Sequence, residues 1–478
     1  MSKIHALLSG AAWAYGAQIA TVLFQFGYAA LTSRLVSPSG FGAYGVALAV
    51  SGFISILSNG GLGQAIGRMI DLDAGRIRAL TGYALVLGAA GALVLFVTAD
   101  LWAVLWSSPE ASGPIRWLCI SAFFGPAMGL VSGLLRRQGR FRELAKIVIT
   151  TNILAMAVGA VAVLLWASAS ALLVSPIASQ VGLALAALLL NRKILIGPPA
   201  MRGARAEISF SWKLTIASLV YYFNGNVGKL AATHALGISA LGQWNRADVV
   251  TAIPFWQLQS AMISTVYPEF RHDLETNKRA QVVWPDLLTL AACVVFPLAA
   301  CGAVLLPYLI PLLFGQGWDL AARLSVALSL VAGLQVVVAL LASAVEALGR
   351  FSWIWSSQLL VAGVYSVAAI SAFSLRDWMP IIVGLFAGLL VQHSLHIYLC
   401  VRGGYLSIRS LVEGYMRAVA GALGSALLAW VGLELWLRLQ APWNWMCVVV
   451  LAGAVALALW RLRERLTPVV IARKYNLL

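Results

Sequence analysis

The sequence predicts an all-α polytopic membrane protein with about fourteen transmembrane helices. Hydrophobic residues make up 61% of the 478-residue chain and charged residues only 10%, whereas a soluble domain carries about 25% charged residues. Apolar runs of about 20 residues, long enough to cross a bilayer, recur along the whole chain. Basic residues collect in every second connection between these runs, which is typical of membrane topology. These three observations leave no segment large enough for a soluble domain.

We divide the apolar runs into fourteen predicted spans, all expected to be helical because lipid cannot satisfy unpaired backbone groups. The first run continues from Ala6 to about Thr32. That is longer than the apolar region of a signal peptide, about 7–15 residues, so we expect a retained first span. The predicted spans are 8–32, 41–66, 80–104, 114–135, 145–166, 169–190, 210–235, 246–268, 284–306, 323–346, 353–373, 378–400, 412–436 and 442–460.

The distribution of positive charge predicts that both termini face the cytoplasm. Twenty-four of the 33 Lys and Arg residues lie in the termini and the even-numbered connections, and five lie at the odd-numbered ones. Such an asymmetry marks the cytoplasmic side. It also accounts for the formal net charge of +16 without nucleic acid as a partner. We therefore expect a multi-pass membrane protein with both termini in the cytoplasm.

Cysteine and histidine spacing predicts neither a metal site nor a disulfide framework. The five cysteines each lie inside or at the end of an apolar run, where a small buried residue is the ordinary interpretation. His393 and His396 are three residues apart on span twelve and share a helix face, but no third ligand accompanies them. We expect no metal and no bound cofactor.

Three residues or short segments in the first half of the chain recur in similar form in the second half. They predict two related halves of six spans each. Both halves would insert the same way up, since six is even. The substrate is then expected near the membrane midplane between two bundles. The predicted domains are 1–200, 201–404 and a two-helix extension at 405–478. The paired landmarks are Trp13 with Trp212, Phe41–Tyr44 with Leu241–Trp244, and Gly139–Phe141 with Gly349–Phe351.

Polar and cationic residues within or beside the spans are the candidates for substrate binding. Span seven carries two Asn, two Gly and a Lys, a set that is costly facing lipid. Arg34 and Arg246 lie at the side where cations are scarce, and Arg pairs well with phosphate. Anchoring at the membrane interface is the competing interpretation of all three cations. The candidate cavity residues are Arg34, Lys229, Arg246, Asn224, Asn226 and Gln25.

Three titratable residues are candidates for coupling transport to a proton or sodium gradient. They are Asp248, His234 and Glu346. Carboxylates and histidines within membranes form proton relays. Each of the three lies near the end of a span, so a solvated side chain is the competing interpretation.

The segment Arg34–Tyr44 resembles the first outer loop of a known family, the Wzx-type polysaccharide flippases of the multidrug/oligosaccharidyl-lipid/polysaccharide (MOP) exporter superfamily. The segment Leu236–Ala247 resembles the matching signature of the second half, and Pro254 and Tyr267-Pro268 follow it. The Gly-Arg pairs at 139–140 and 349–350 also fit. The likeness extends over about residues 5–405.

The resemblance implies a MOP-like fold shared with the MATE transporters and a flippase rather than an enzyme. Its substrate would be an oligosaccharide linked to an isoprenoid pyrophosphate, moved by alternating access from the cytoplasmic to the periplasmic leaflet of the bacterial inner (plasma) membrane. Its partners would be membrane lipids and other polysaccharide assembly proteins, and proton or sodium coupling is compatible with it. Relatives often carry an Asp in the middle of span seven, where this chain has Asn224 and Asn226. This departure weakens the expectation of coupling there.

Three other functions compete with the flippase. A drug or metabolite antiporter of the same superfamily fits the fold, although cationic lining argues against export of organic cations. A membrane polysaccharide polymerase would need a large outer loop, and no outer connection here is long. A scaffold for polysaccharide assembly is compatible with every feature of the sequence.

Overall fold

A computed structural model describes residues 22–59, 61–67, 74–195, 205–276 and 280–440, together with 446, 461, 467, 468 and 470. These residues form helices and contain no β-strand. The helices are α1 (22–35), α2 (Pro38–Asn59), α3 (Leu62–Gly67), α4 (Ala74–Val97), α5 (Ala99–Leu105), α6 (Ser112–Trp117), α7 (Cys119–Arg137), α8 (Phe141–Trp166), α9 (Ala169–Leu195), α10 (Arg205–Leu236), α11 (Ile238–Thr276), α12 (Ala280–Phe314), α13 (Asp319–Ala347), α14 (Phe351–Leu375), α15 (Met379–Arg402) and α16 (Ile408–Arg438).

Ten of these helices are long and apolar enough to cross a membrane, which confirms the polytopic fold class. They are α2, α4, α7, α8, α9, α12, α13, α14, α15 and α16. Predicted span one is described only from residue 22, and span fourteen lies outside the described residues. Spans seven and eight correspond to α10 and α11, which have 32 and 39 residues. Both are long enough to cross a membrane, but neither is among the ten helices that are also apolar enough.

Three predicted single spans are interrupted. Span two divides into α2 and α3, and Gly61 beside the break has a φ of 74°. Span three divides at Thr98, whose φ of −92° and ψ of 6° depart from helical values. Span four divides at Leu118 between α6 and α7. An average of hydropathy over a whole span does not register a local break in a helix.

The described chain forms two compact units. The first is Met1–Asn245 with Phe314–Gln316 and Ala372–Asp377, and the second is Arg246–Leu313, Gly317–Ser371 and Trp378–Leu478. The predicted domain boundaries, which rest on the internal repeat, stay predictions. One hydrophobic core of the first unit includes Val46, Val50, Leu95, Ile115 and Leu173.

The core of the second unit is built around an aromatic group. Trp284 is fully buried between Phe270 and Tyr405, with ring centroids 5.1 Å and 5.9 Å away. Aliphatic side chains of α13 and α16, such as Leu341 and Leu411, surround it. The first helix of the C-terminal extension therefore packs into this core.

Left-handed backbone positions recur between the halves and support the internal repeat. Gly139, with a φ of 72°, ends α7, and Gly349, with a φ of 69°, ends α13. The Gly139 N–H donates to the Arg136 carbonyl at 3.1 Å and the Gly349 N–H to the Glu346 carbonyl at 2.9 Å. Both are the glycine caps that commonly end helices. The two turns thus share their backbone geometry as well as the tripeptide Gly-Arg-Phe.

Two further pairs of left-handed residues fit the same spacing. Ala167, with a φ of 42°, separates α8 from α9, and Arg376, with a φ of 52°, separates α14 from α15. Ser107 precedes α6 with a φ of 48°, and Gly315 and Gly317 precede α13 with φ of 87° and 90°. The equivalent connections of the two halves thus use equivalent backbone geometry.

The two paired signature segments lie in direct contact within the first unit. A Cβ on Gly242 of α11 would collide with the carbonyl oxygen of Pro38 and would lie 2.9 Å from the Gly42 nitrogen. A Cβ on Gly42 of α2 would collide with the carbonyl oxygen of Ile238. The backbones therefore touch where both helices begin, and only glycine permits this approach.

We expect Gly242→Ala to destabilise the protein. The added methyl group meets backbone atoms that cannot rotate away, and overpacking of this kind costs about 1–3 kcal/mol. The melting temperature of the purified protein in detergent should fall by several degrees. Gly363→Ala is the matched control, because a Cβ at this exposed glycine of α14 meets no atom within 4 Å. Equal melting temperatures of the two variants would show that the contact is unimportant.

Candidate functional site

One face of α10 carries a polar stripe turned towards α2. Tyr222, Asn226 and Lys229 lie at positions i, i+4 and i+7, nearly two whole turns, so they share this face. The Tyr222 hydroxyl donates a hydrogen bond to the Ala49 carbonyl of α2, and the Tyr222 ring lies 6.4 Å from that of Phe53. Lys229 is half-buried. The cation therefore lies on the side of α10 that packs inside the first unit.

The two asparagines of α10 have different surroundings. Asn226 Nδ2 donates a hydrogen bond to the Tyr222 carbonyl at 2.9 Å, so its side-chain amide is hydrogen-bonded within its own helix. Asn224 is only 8% exposed. Five residues separate it from Lys229, which places the two on different faces of the helix. The predicted cavity residues of span seven thus do not form a single row.

Arg246 is the most buried of the three candidate cations. It lies on α11, in the second unit, and is 7% exposed. Asp248, two residues on, is half-buried and points to another side of the helix. Charged side chains within membrane-spanning segments are rare, and they usually face the interior of the bundle or a water-filled cavity. A buried arginine in a membrane helix is therefore a candidate for function.

Arg34 and Gln25 both lie on α1 but point in opposite directions. Nine residues separate them, which is two and a half turns. Arg34 is exposed, and its Cγ lies 3.6 Å from the position that a Cβ on Gly315 would occupy. Gln25 is half-buried, and its Oε1 has no hydrogen-bond partner among the described residues. The structure does not bring these two candidates together.

His234 connects the end of α10 to the turn after α5. Its Nε2 lies 2.6 Å from the Leu105 carbonyl oxygen and its Nδ1 lies 2.9 Å from Ser107 Oγ. Because a carbonyl only accepts, Nε2 carries the proton, and in the neutral ring Nδ1 accepts from the hydroxyl. Phe373 contacts the same ring edge-on, with centroids 6.5 Å apart. Both ring nitrogens are thus engaged in fixing the helix end.

Glu346, the third coupling candidate, is exposed at the end of α13. Its backbone carbonyl accepts the cap hydrogen bond from Gly349. The Glu346 side chain therefore lies at the surface of the second unit. The substrate and coupling roles assigned to the nine candidate residues stay predictions.

A buried histidine pair lies among the helices of the second unit, apart from the nine candidate residues. His393 Nε2 lies 3.0 Å from the Tyr415 hydroxyl of α16, and His396 Nε2 lies 3.1 Å from Ser357 Oγ of α14. Both Nδ1 atoms are buried without a partner in the described part of the chain. Within that part, no group of three or more His, Cys, Asp or Glu side chains is placed to hold a metal ion. The pair joins three helices through hydroxyl groups.

Comparison with known proteins agrees with this fold. The chain is 22% identical to the lipopolysaccharide biosynthesis protein WzxC of Escherichia coli (strain K12) over 67% of this chain and 65% of WzxC, so it matches just under two thirds of that relative. The lipid II flippase MurJ, in an inward closed conformation, superposes with a TM-score of 0.71 at 11% identity, over 95% of this chain and 99% of MurJ.

A multidrug resistance MATE family transporter of the MOP superfamily, in an inward-facing conformation, superposes with a TM-score of 0.58. Its identity is 15%, over 85% of this chain and 96% of that transporter. At such identities the two structures show the fold alone, which is MOP-like. The family described as "Polysaccharide biosynthesis protein" matches residues 31–323. Since this match covers more than half of the chain, the protein belongs to that polysaccharide biosynthesis family.

Proposed function

We propose that the protein is a flippase for oligosaccharides linked to an isoprenoid pyrophosphate. It moves them by alternating access from the cytoplasmic to the periplasmic leaflet, without covalent chemistry. Family membership and the MOP-like fold support a role in polysaccharide assembly. The similar structure described as a lipid II flippase supports a lipid-linked substrate.

The observation that carries the proposal is a cation held inside the fold on each of the helices α10 and α11. Among the described helices of 18 or more residues, only these two are not apolar enough to be candidate membrane spans. Each bears a cation within the fold, half-buried Lys229 and buried Arg246. A pyrophosphate matches such cations through charge-assisted hydrogen bonds. An organic cation would be repelled by them, which disfavours the drug antiporter.

The test is a leaflet-resolved assay in proteoliposomes with a fluorescent polyprenyl-pyrophosphoryl oligosaccharide in the inner leaflet. Wild-type protein should expose the probe to an impermeant quencher faster than protein-free vesicles do. Lys229→Ala should reduce this rate about tenfold, because one charge-assisted hydrogen bond contributes about 1.5–3 kcal/mol.

Arg409→Ala is the control for loss of a cation. Arg409 is highly exposed at the start of α16 and pairs with Glu413 at 3.1 Å, so its removal should leave the rate unchanged. Wild-type rates equal to those of empty vesicles would overturn the proposed function. Full activity of Lys229→Ala would remove only the role of this residue.

We further propose that the protein lies in a bacterial inner membrane with both termini in the cytoplasm. The charge distribution along the chain supports this orientation. Two of the basic residues on the proposed outer side form ion pairs, Arg116 with Asp100 at 2.5 Å and Arg438 with Glu434 at 2.9 Å. Two ion pairs on the proposed inner side, Arg140 with Glu143 and Arg409 with Glu413, match them. These pairs therefore leave the excess of positive charge on the inner side unchanged.

Cysteine labelling tests the orientation. Glu110→Cys places a thiol in the exposed turn before α6, on the proposed outer side, and Ser410→Cys places one near the start of α16, on the inner side. An impermeant maleimide should label Glu110→Cys in intact spheroplasts and Ser410→Cys only after permeabilisation. The wild type, whose native cysteines lie in or beside the apolar runs, supplies the background. The reverse pattern would refute this topology.

A further inference from the structure

An apolar cleft lies between α1 and α8 on the surface of the first unit. It has a volume of about 460 Å³, within the range of about 300–1,000 Å³ that is usual for ligand sites. Leu23, Phe24, Gly27 and Leu31 form the wall on α1. Met156 and its neighbours form the wall on α8.

Small residues on both helices keep the cleft open. A Cβ on Gly27 would meet no atom within 4 Å, so this glycine faces empty space. Ala157 and Ala160 of α8 line the opposite wall. Between them, Gly159 contacts Ser175 of α9 and the Tyr28 hydroxyl of α1, 3.0 Å from the position of a Cβ. The helices thus touch at this glycine, and the cleft lies beside the contact.

The cleft opens onto a surface of exposed apolar side chains. Leu23 is 66% exposed and Phe24 is 53% exposed, and Leu154 and Val158 beside the other wall are also exposed. Exposed apolar side chains are the normal surface of a membrane span. From Leu23 to Leu31 the cleft follows about 12 Å of α1, at 1.5 Å per residue. An elongated apolar chain fits this shape better than a compact ligand.

A cation lies beyond one end of the cleft. Arg34 is exposed and follows Leu31 by three residues, so it lies one turn further along the same face of α1. The planar guanidinium of Arg matches the geometry of phosphate. An apolar cleft that leads to an arginine complements a molecule with an apolar chain and a strongly anionic head.

We propose that this cleft binds the isoprenoid chain of the transported lipid, with its pyrophosphate at Arg34. The proposal rests on the proposed function and adds a binding site on α1 and α8. In the proposed orientation α1 ends at the outer side, so the site holds the lipid in the outer leaflet. A phospholipid with a zwitterionic head complements the single cation less well than a pyrophosphate does.

Photolabelling with a polyprenyl pyrophosphate that carries a diazirine in its chain tests the site. The purified protein in proteoliposomes should be labelled on peptides that contain residues 23–31 and 153–160. A phosphatidylethanolamine with the same diazirine should label these peptides much less. Equal labelling by the two probes would mean that ordinary membrane lipid fills the cleft, and it would overturn the proposal.

Variants that fill the cleft sharpen the test. Gly27→Leu should reduce labelling by the polyprenyl probe about tenfold, the effect of a modest loss of binding free energy. Ala157→Leu fills the cleft from the other wall and should do the same. The control is Gly363→Leu, at an exposed glycine of α14 with equally open surroundings. Unchanged labelling of both cleft variants, with unchanged melting temperatures, would contradict the proposal.

The head-group contact has its own readout. Arg34→Ala should weaken labelling by the pyrophosphate probe and leave labelling by the matching uncharged polyprenol unchanged. Labelling needs binding and not transport, so it separates this site from the proposed function. A wild-type protein that flips the substrate but is not labelled in the cleft would refute the site and leave the function intact. A protein that is labelled in the cleft but does not flip the substrate would refute the proposed function and leave the site intact.

Discussion

The need to pair every backbone polar group inside hydrocarbon shapes the whole molecule. A helix makes all of its backbone hydrogen bonds within one segment, which explains why the described chain is helical. Side chains follow the same constraint. Thr32, Thr81 and Thr251 donate to the carbonyl four residues earlier in their own helices, each at 2.8 Å. Polar groups that depart from this pattern are therefore informative, and α10 and α11 hold several of them.

Glycine contacts then decide how the helices of the first unit cross. Helices in a membrane gain little from hydrophobic association, so close backbone packing takes its place. The mutual contact of Gly42 and Gly242 joins the beginnings of α2 and α11. The same two segments carry the family signature. Their resemblance between halves thus has a structural reason that is independent of substrate.

Much of the fold could be predicted from the sequence, because hydropathy and charge act on whole segments. The glycine caps at 139 and 349 were visible as a repeated tripeptide. The left-handed residues Ala167 and Arg376 were not, since their identities give no sign of this conformation. The predicted polar residues of α10 lie on a helix as expected. The contact of Tyr222 with Ala49, however, joins residues 173 positions apart, and no local pattern could reveal it. The same holds for His234 and Leu105.

The central claim is that the protein recognises an anionic lipid through cations in a polar part of the membrane domain. Equilibrium binding of three probes to the purified protein tests it most directly: a polyprenyl pyrophosphate, the uncharged polyprenol and tetraphenylphosphonium. The account predicts that the pyrophosphate binds at least about tenfold more tightly than the polyprenol, as one charge-assisted contact would give, and that the organic cation binds weakly. Tighter binding of tetraphenylphosphonium than of the pyrophosphate would contradict it.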